Sequence, residues 1–487
     1  MLDTSTKTYK NLIGGRWTDA TSGETFSSIN PADTSDVVGN FQASSQEDGE
    51  QAIQAAQKAF DSWRKTPPSK RASILYRAAE LLTERADQIA RELTREEGKV
   101  LSASRKEVLR SASVLRYYAA EGQSLGGGTY LQDDAGAIVY TVREPLGVAV
   151  VITPWNFPIS IPTRKIAPAL ITGNTVVFKP SSDTALTGLC LVEALVDAGL
   201  PDGALNFVTG SASHVGGVLT AHPLVRAISF TGSTGAGEAI HQAASLTTRT
   251  QLELGGKNPI IVLPDADLER AAEVTVKGGY ELTGQACTGT SRVIIDRDVA
   301  EAFVDSLVAK ASALTIGPGD QEGVQLTPLA NKNQLERVLD YIEVGKEEGL
   351  NLVYGGERLH GGVYDKGYYV SPAVFTDVPA SSRLAQEEIF GPVITVIPVD
   401  GFDEALRVAN GVQYGLSASL MTRDIGAANR FVQEIEAGTV KVNRTTTGNL
   451  INAPFGGLKK SSSNSFRESG REGLEFFTQI KTVYYGS

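Results

Sequence analysis

The chain has 487 residues, which at roughly 150 residues per domain is enough for two or three domains with a sizeable core. Apolar residues make up 41% and charged residues 21%, and no apolar run approaches the roughly 18 residues of a membrane helix, so we expect no membrane partner. The formal net charge of −11 disfavours nucleic acid as the main partner.

The chain has only two cysteines, Cys190 and Cys287. Two thiols cannot build a disulfide framework, and with four histidines at no close spacing they predict no metal site. The polar start, MLDTSTKTYKN, lacks the charged and apolar regions of a secretory signal, which predicts a cytoplasmic protein.

The first helical signal runs from residue 67 to about residue 97, where apolar side chains recur at helical spacing behind two prolines. A glycine run at 126–128 ends the next helical stretch. The extended segment 137–143 that follows predicts a protruding arm.

Between residues 147 and 256, short β-branched runs alternate with helical stretches, the pattern of an α/β fold. The predicted strands are GVAVVIT, NTVVFKP, LNFVTG, AISFTGS and TQLELGG. Strands that alternate with helices form a parallel sheet with right-handed crossovers, and such a sheet binds ligands at the carboxyl ends of its strands.

A second α/β unit is expected over residues 257–454, with strand-like runs SRVIIDR, YYVSPAVF, PVITVIPV and TVKVN. The short apolar stretch 476–485 predicts a terminal strand. Because an exposed strand edge tends to pair, we expect it to join another subunit or the arm at 137–143.

Cys287 lies in GQACTGTSR, where small neighbours leave the sulfur accessible and let backbone N–H groups point at what it attacks. This context suits a thiolate nucleophile, and the alternative is a buried structural thiol. Cys190 fits the structural alternative better, because it lies in the apolar helix TGLCLVEALVDAG. The candidate base is Glu253 in LELGGKNP, whose apolar neighbours raise its pKa; the alternative is a surface glutamate on an edge strand.

Three strand ends carry further candidates. In TPWNFP, two prolines fix the backbone around Asn156, so its side-chain amide could donate a hydrogen bond to an oxyanion. The alternative is that the segment is only a rigid turn. Lys179 and Ser181 place a cation and a hydroxyl where a nucleotide could bind. FTGSTGAG suits a phosphate at a helix N-terminus, although its glycines do not form the usual dinucleotide fingerprint.

Seven motifs in order, TPWNFP, FKPSSDTA, FTGSTGAG, LELGGKNP, GQACTGTSR, EEIFGPV and PFGGLKKSS, resemble the NAD(P)-dependent aldehyde dehydrogenase superfamily. The likeness spans about residues 9–485. It implies a Rossmann-type parallel-sheet cofactor domain at 1–125 and 147–256, an α/β catalytic domain at 257–454, and a small β oligomerisation arm at 126–146 and 470–487. A homodimer or homotetramer is therefore expected.

The resemblance also implies chemical roles. Cys287 would add to the aldehyde carbon to form a thiohemiacetal and then a thioester, while Asn156 and the Cys287 backbone N–H stabilise the oxyanion. Glu253 would activate the hydrolytic water, and Glu468 matches a proton-relay acid.

The cofactor positions follow from the same resemblance. Lys179 matches a ligand of the adenosine ribose, Ser233 one of the pyrophosphate, and Glu388 with Phe390 the nicotinamide-ribose side. Ser182 stands where many NAD-preferring relatives carry a glutamate that would repel a 2′-phosphate, so NADP is expected alongside NAD. The implied cofactor set is Thr153, Pro154, Trp155, Lys179, Ser181, Ser182, Gly232, Ser233, Glu388 and Phe390.

Two further positions bear on the substrate. Arg164 matches the arginine with which semialdehyde dehydrogenases bind a substrate carboxylate, and the alternative is a helix-surface arginine. The subgroup most similar is the α-ketoglutarate semialdehyde (2,5-dioxovalerate) dehydrogenases. Glu281 departs from the semialdehyde pattern, which often has an arginine there, and a carboxylate could pair with Arg164 and repel an anionic substrate.

The leading hypothesis is therefore a hydrolytic aldehyde dehydrogenase for a carboxylate-bearing semialdehyde such as α-ketoglutarate semialdehyde. A broad range of neutral aliphatic or aromatic aldehydes is the alternative. A CoA-acylating relative and a non-catalytic binding protein are further hypotheses, and Glu253 argues against the first because a water-activating base would hydrolyse the acyl-enzyme.

Overall fold

The computed structural model describes residues 6–133 and 136–486. The first residues of the polar start, two residues of the arm at 126–146, and Ser487 thus lie outside the described residues. The strands are β1 Asn11–Ile13, β2 Arg16–Thr18, β3 Thr25–Ile29, β4 Val37–Gln42, β5 Thr129–Tyr130, β6 Ile138–Pro145, β7 Val148–Ile152, β8 Thr175–Lys179, β9 Leu205–Phe207, β10 Val225–Thr231, β11 Arg249–Glu253, β12 Asn258–Val262, β13 Thr290–Asp296, β14 Asn351–Tyr354, β15 Ala373–Thr376, β16 Val393–Val399, β17 Tyr414–Gly415, β18 Ser417–Met421, β19 Thr439–Val442, β20 Leu458–Lys459 and β21 Thr478–Tyr485.

The helices surround two large sheets. They are α1 Gln46–Trp63, α2 Pro68–Glu84, α3 Ala86–Glu97, α4 Leu101–Glu121, α5 Ser160–Ile171, α6 Ala185–Asp197, α7 Gly217–Ala221, α8 Thr234–Ala243, α9 Leu268–Tyr280, α10 Arg297–Ser312, α11 Lys332–Glu347, α12 Arg383–Gln386, α13 Phe402–Asn410, α14 Ile425–Glu434 and α15 Glu472–Phe476. No helix in the described ranges is both long and apolar enough to cross a membrane.

The first sheet has the strand order β11-β10-β7-β8-β9-β1-β2. Its five predicted strands, β7 to β11, pair in parallel as expected, and β1 and β2 extend the sheet in antiparallel fashion. Successive side chains of β7 enter different cores: Val148 and Val150 pack with α1 and α7, whereas Ala149 and Val151 pack with α2, α4, α5 and α6. A strand covered on both faces must be apolar throughout, which is why GVAVVIT has no polar alternation.

The second sheet has the order β14-β15-β16-β13-β12-β18-β19, and only the β14–β15 pair is antiparallel. The four predicted runs contribute β13, β15, β16 and β19. Two central strands, β12 and β18, were not predicted, because NPIIV and SASLM are short and carry a proline and serines.

The prediction of one continuous helix over residues 67–97 is wrong in its continuity. The chain forms α2 and α3, which are separated at Arg85, where φ −93° and ψ 6° leave the helical region. The break lets α3 pack on α4 and α6 while α2 packs on α4, α5 and α6. The apolar spacing continues across the break, so periodicity alone does not reveal it.

A third, small sheet has the order β21-β6-β5. β21 pairs antiparallel with β6 from Thr478 opposite Pro145 to Tyr485 opposite Ile138. The terminal strand therefore joins the arm, one of the two partners predicted for it.

Candidate active site

The loop that carries Cys287 joins α9 to β13 and begins with unusual backbone. Leu282, Thr283 and Gly284 all have positive φ, at 57°, 54° and 71°. Asn258 fixes the far side of the loop, because its Nδ2 donates to the carbonyl oxygens of Cys287 at 2.8 Å and Gly289 at 2.9 Å. Side-chain hydrogen bonds and a turned backbone thus hold Cys287 in one place.

The Cys287 thiol is half-buried and lies among charged groups. Burial raises its pKa to about 12, and the positive charge of Arg164 acts in the opposite direction. The thiol is therefore protonated at neutral pH and needs a base or a nearby cation to react. Cys190 differs, because its side chain packs against the core under α2, α4 and α6.

Glu253 ends β11 and is only 3% exposed, so the surface alternative for this residue is wrong. Burial, reinforced by the charge of Glu468, holds the pKa of Glu253 well above its usual range. Neither carboxylate oxygen has a hydrogen-bond partner among the described residues. Gly456 leaves room beside it, because a Cβ there would lie 2.9 Å from Glu253 Oε1.

Glu468 is buried beside two cations on α5. Lys165 Nζ lies 2.7 Å from Glu468 Oε2, and an Arg164 guanidinium nitrogen lies 3.3 Å from Oε1. Burial would raise the pKa of Glu468, but the charges of Lys165 and Arg164 lower it below its usual value. Two neighbouring carboxyl groups thus differ: Glu468 is held ionised, and Glu253 is pushed towards its neutral form.

Asn156 follows β7 and its side chain reaches the Cys287 loop. Its Nδ2 donates to the carbonyl oxygen of Gln285 at 2.9 Å, and its second amide hydrogen has no acceptor among the described residues. Asn156 is 2% exposed. The structure thus brings Asn156, Cys287 and Glu253 to one location, at the junction of the two large sheets.

The first group of predicted cofactor residues follows β7 and β8. Thr153 Oγ1 is buried and lacks a partner in the described part of the chain. Lys179 Nζ donates to the Pro180 carbonyl at 3.1 Å, and burial lowers the pKa of Lys179 to about 8. Ser181 caps the single helical turn Ser182–Thr184, and Ser182 Oγ donates to the Gly210 carbonyl at 3.4 Å.

The second group lies where β10 meets α8. Ser233 is the N-cap of α8, and its side chain accepts a hydrogen bond from the Ala236 N–H at 3.4 Å. At Gly232 a Cβ would lie 2.4 Å from the ring of Phe230, so this turn needs glycine. The first-turn N–H groups of a helix have no intrahelical acceptors, which makes the start of α8 suitable for an anion.

The third group bridges the two sheets. The Gly256 N–H donates to Glu388 Oε1 at 2.9 Å, and burial raises the pKa of Glu388. The Trp155 and Phe390 rings meet edge to face with centroids 5.5 Å apart, and Pro154 precedes Trp155 in the same loop. A Cβ on Gly256 would lie 2.7 Å from the Cys287 carbonyl oxygen, so Glu388 and Cys287 are close neighbours of one glycine.

The structure separates the two predicted substrate residues. The Arg164 side chain is only 11% exposed, so the helix-surface alternative is wrong, and its partner is Glu468. Glu281 is exposed and makes no ion pair within the described ranges, so the suggested pairing of Glu281 with Arg164 does not occur.

Sequence reasoning missed several residues of this site. Lys165 follows Arg164 directly, and Asn258 lies within the LELGGKNP motif, so both stood beside residues that had been identified. Arg110 on α4 had no such signal: burial, and after it the positive charge of Arg164, lowers the pKa of Arg110. Its neighbour Arg164 is far away in the sequence, which local patterns cannot reveal.

Comparison with known proteins agrees with this geometry. Residues 17–483 match the model of the aldehyde dehydrogenase family. Alpha-ketoglutaric semialdehyde dehydrogenase of Bacillus subtilis is 48% identical over 482 residues, which cover 99% of each chain. The chain therefore belongs to the aldehyde dehydrogenase family, which confirms the predicted family, fold class and class of enzyme.

Solved structures show the same fold. Betaine aldehyde dehydrogenase from Staphylococcus aureus, in complex with NAD⁺, superposes with a TM-score of 0.95 at 33% identity, covering 98% of this chain and 94% of that one. A 3,6-anhydro-L-galactose dehydrogenase in complex with NADP has a TM-score of 0.95 at 34% identity, covering 99% of this chain and 100% of the other.

Proposed function

We propose that this chain oxidises α-ketoglutarate semialdehyde to the dicarboxylic acid, with NADP⁺ or NAD⁺ as the oxidant. The observation that carries the proposal is the convergence of Cys287, Glu253 and Asn156 beside a cluster of cations. The similarity to the Bacillus subtilis enzyme supports the choice of substrate. In this proposal, residues 1–125 and 147–256 bind the cofactor and residues 257–454 supply the nucleophile.

The residues at the strand ends fit a dinucleotide. The buried, unpartnered Thr153 hydroxyl and the two remaining N–H groups of Lys179 are donors without an acceptor among the described residues, and a ribose or phosphate would supply one. Ser233 and the first turn of α8 would hold the pyrophosphate, and Glu388 and Phe390 the nicotinamide ribose. When bound, the nicotinamide accepts the hydride.

The protein groups divide the remaining chemistry among them. Cys287 Sγ bonds to the aldehyde carbon as its thiol proton passes to water, and the carbonyl electrons move to the oxygen. The free Asn156 amide hydrogen and the Cys287 N–H stabilise that oxyanion. After the hydride has left, the carbonyl re-forms as a thioester on Cys287. Glu253 then takes a proton from water, which attacks the thioester carbon and releases the acid and the thiol.

Charge supports a carboxylate-bearing substrate. Arg164 and Lys165 share one carboxylate, Glu468, so the cluster retains a positive charge, and Arg110 adds another nearby. Burial raises the pKa of Glu253, which weakens its negative charge as an offset to these cations. A guanidinium whose Nε is buried without a partner among the described residues, as in Arg164, is suited to a second carboxylate.

The proposed chemistry is tested first at the nucleophile and the base. Cys287→Ala is expected to abolish NAD(P)H production from aldehyde, whereas the matched Cys190→Ala keeps it. Glu253→Gln is expected to produce one equivalent of NAD(P)H in a burst and then stall, because the thioester is not hydrolysed. Wild-type hydrolysis should rise with pH, because burial raises the pKa of Glu253 and its carboxylate form therefore increases only above the usual range for a glutamate.

Activity of Cys287→Ala equal to the wild type would contradict the proposal. Steady turnover of Glu253→Gln that depends on added CoA would instead favour the CoA-acylating alternative.

The substrate assignment is tested with a panel of semialdehydes and neutral aldehydes, each run with NAD⁺ and NADP⁺. Arg164→Ala should lower kcat/KM for the carboxylated members by about 10- to 100-fold, the cost of a lost charge-assisted hydrogen bond, and change the neutral members much less. Because Arg164 also contacts Glu468, the ratio between the two substrate classes is the informative quantity. An equal loss across the panel would favour the neutral-aldehyde alternative.

We also propose that the sheet of β21, β6 and β5 belongs to an oligomerisation arm formed by residues 126–146 and 470–487, in a homodimer or homotetramer. Large apolar side chains are exposed on and beside it, at Tyr130, Leu131, Ile138, Ile480, Tyr484 and Tyr485. A second copy of the chain would cover them. The cytoplasmic location stays a prediction.

A further inference from the structure

A buried ion pair lies beneath the loop that carries Asn156. Lys99, in the connection between α3 and α4, is 2% exposed, and its Nζ lies 2.7 Å from Glu107 Oε2. The same ammonium donates to the main-chain carbonyl oxygen of Asn156 at 2.6 Å. It also lies 4.7 Å from the centre of the Phe157 ring. Lys99 therefore contacts two consecutive residues of the loop.

The other carboxylate oxygen of Glu107 reaches the end of the same loop. Glu107 Oε1 accepts hydrogen bonds from the N–H groups of Ile159 at 3.2 Å and Ser160 at 3.1 Å. These N–H groups begin α5, where helix geometry leaves donors unpaired and favours negative charge. One buried ion pair thus holds both ends of the segment 156–160.

Neither side chain has a place in the proposed chemistry, yet both are costly to bury. Moving each charge from water to the protein interior is costly, so a buried ion pair adds little net stability to the folded protein by itself. The third acid nearby, Glu97, lies 3.8 Å from Lys99 Nζ, and burial raises its pKa to about 8, so at neutral pH the cluster is mainly the pair alone.

We propose that the Lys99–Glu107 ion pair positions the Asn156 amide, so that both are positioning residues for the oxyanion site. The inference rests on the proposed function, in which Asn156 stabilises the oxyanion. Lys99 holds the backbone of Asn156 at its carbonyl oxygen, while the Gln285 carbonyl holds its side chain at 2.9 Å. Because the backbone carbonyl and the side-chain amide of Asn156 are both held, the second amide hydrogen is kept in a fixed orientation.

The test is a double-mutant cycle between Lys99→Met and Asn156→Ala, read as kcat and KM for steady-state formation of NAD(P)H. Lys99→Met keeps an unbranched apolar stem and removes the ammonium. A displaced catalytic group costs up to about 100-fold in rate, so we expect Lys99→Met to lower kcat by about 10- to 100-fold while KM for the cofactor changes less than about two-fold. In the Asn156→Ala background, Lys99→Met should have almost no further effect on kcat.

The matched control is Ser104→Ala. Ser104 is also buried on α4, where its hydroxyl is 2.8 Å from that of Thr94, and in the described ranges its side chain has no hydrogen bond to residues 156–160. It should lower the melting temperature without changing kcat. If Lys99→Met does not fold, Glu107→Gln is used instead, because it keeps an acceptor for the Ile159 and Ser160 N–H groups. Its effect on kcat should likewise disappear in the Asn156→Ala background.

Two results would overturn the inference. If Lys99→Met lowered kcat by the same factor in the wild-type and Asn156→Ala backgrounds, the ion pair would not act through Asn156. The proposed function would still stand. An Asn156→Ala enzyme with wild-type kcat would remove both the oxyanion role of Asn156 and this inference, while Cys287→Ala still tests the proposed function separately.

Discussion

At the scale of single residues, the site separates groups of the same kind by their surroundings. Glu253 and Glu468 are both buried, but only Glu468 has cations within ion-pair distance. Their pKa values therefore shift in opposite directions. The Cys287 thiol experiences the same charges, and among them Arg164 favours its ionised form.

This arrangement predicts how fast Cys287 is alkylated. In a Cys190→Ala background, the rate at which iodoacetamide alkylates Cys287 should keep rising with pH beyond about 8.5, the ordinary pKa of cysteine. The reason is that burial raises the thiol pKa, so little thiolate is present at about pH 8.5. Arg164→Ala should slow alkylation at every pH, because loss of the positive charge raises the thiol pKa further. Arg105→Ala, which removes an exposed cation of α4, serves as the control. A rate that levels off below pH 8, or a faster Arg164→Ala variant, would contradict the prediction.

At the scale of elements, the active-site loops depend on turns rather than on regular structure. The segment from Leu282 to Gly284 leaves α9 through three left-handed residues, which is costly for the two that are not glycine. Thr283 partly compensates, because its hydroxyl donates to the Thr327 carbonyl at 2.8 Å. The loop is thus ordered by distant contacts.

Gly284→Ala tests this dependence. A Cβ at Gly284 would lie 2.2 Å from the Gly391 carbonyl oxygen, a backbone atom, and the positive φ disfavours alanine as well. We expect a loss of about 1–3 kcal/mol in the free energy of unfolding, together with reduced activity, measured by thermal melting and steady-state kinetics. Gly217→Ala is the control, because it opens α7 with no atom within 4 Å of the new Cβ. Equal melting temperatures for the two variants would refute the expectation.

At the scale of the whole molecule, the small sheet joins distant parts of the chain. β21 comes from the C-terminus and β6 from the region before β7, and their pairing leaves most β21 side chains exposed. Ile480 is 62% exposed on this strand. A surface of this kind is unfavourable for an isolated subunit and favourable for an interface.

The oligomer is expected to depend on this sheet. Ile480→Asp should shift the mass measured by light scattering towards the monomer, because association would bury an unpaired carboxylate. Ile425→Asp is the matched control: Ile425 is 75% exposed but begins α14, which packs on α13 and β19. If both variants keep the wild-type mass, the arm is not the interface.

The sequence by itself determined much of the fold and singled out the candidate site residues. Buried parallel strands need continuous apolar runs, so β7 to β11 could be predicted from local composition. Cys287, Glu253 and Asn156 were singled out because each lies in or next to a segment rich in glycine, proline or small residues, and the family resemblance implied their roles. The pairing of β21 with β6 was one of two open alternatives, since an edge strand can pair with any free edge.

Only the tertiary structure decided what surrounds those residues. The break at Arg85 and the strands β12 and β18 depend on packing that a local window does not contain. The same holds for charge: Glu468, far along the chain, is the partner of Arg164, and Lys99 lies under Asn156 because α4 packs on α5. Burial and Coulomb interactions act through space, so the pKa values and the alignment of the site are properties of the fold rather than of any motif.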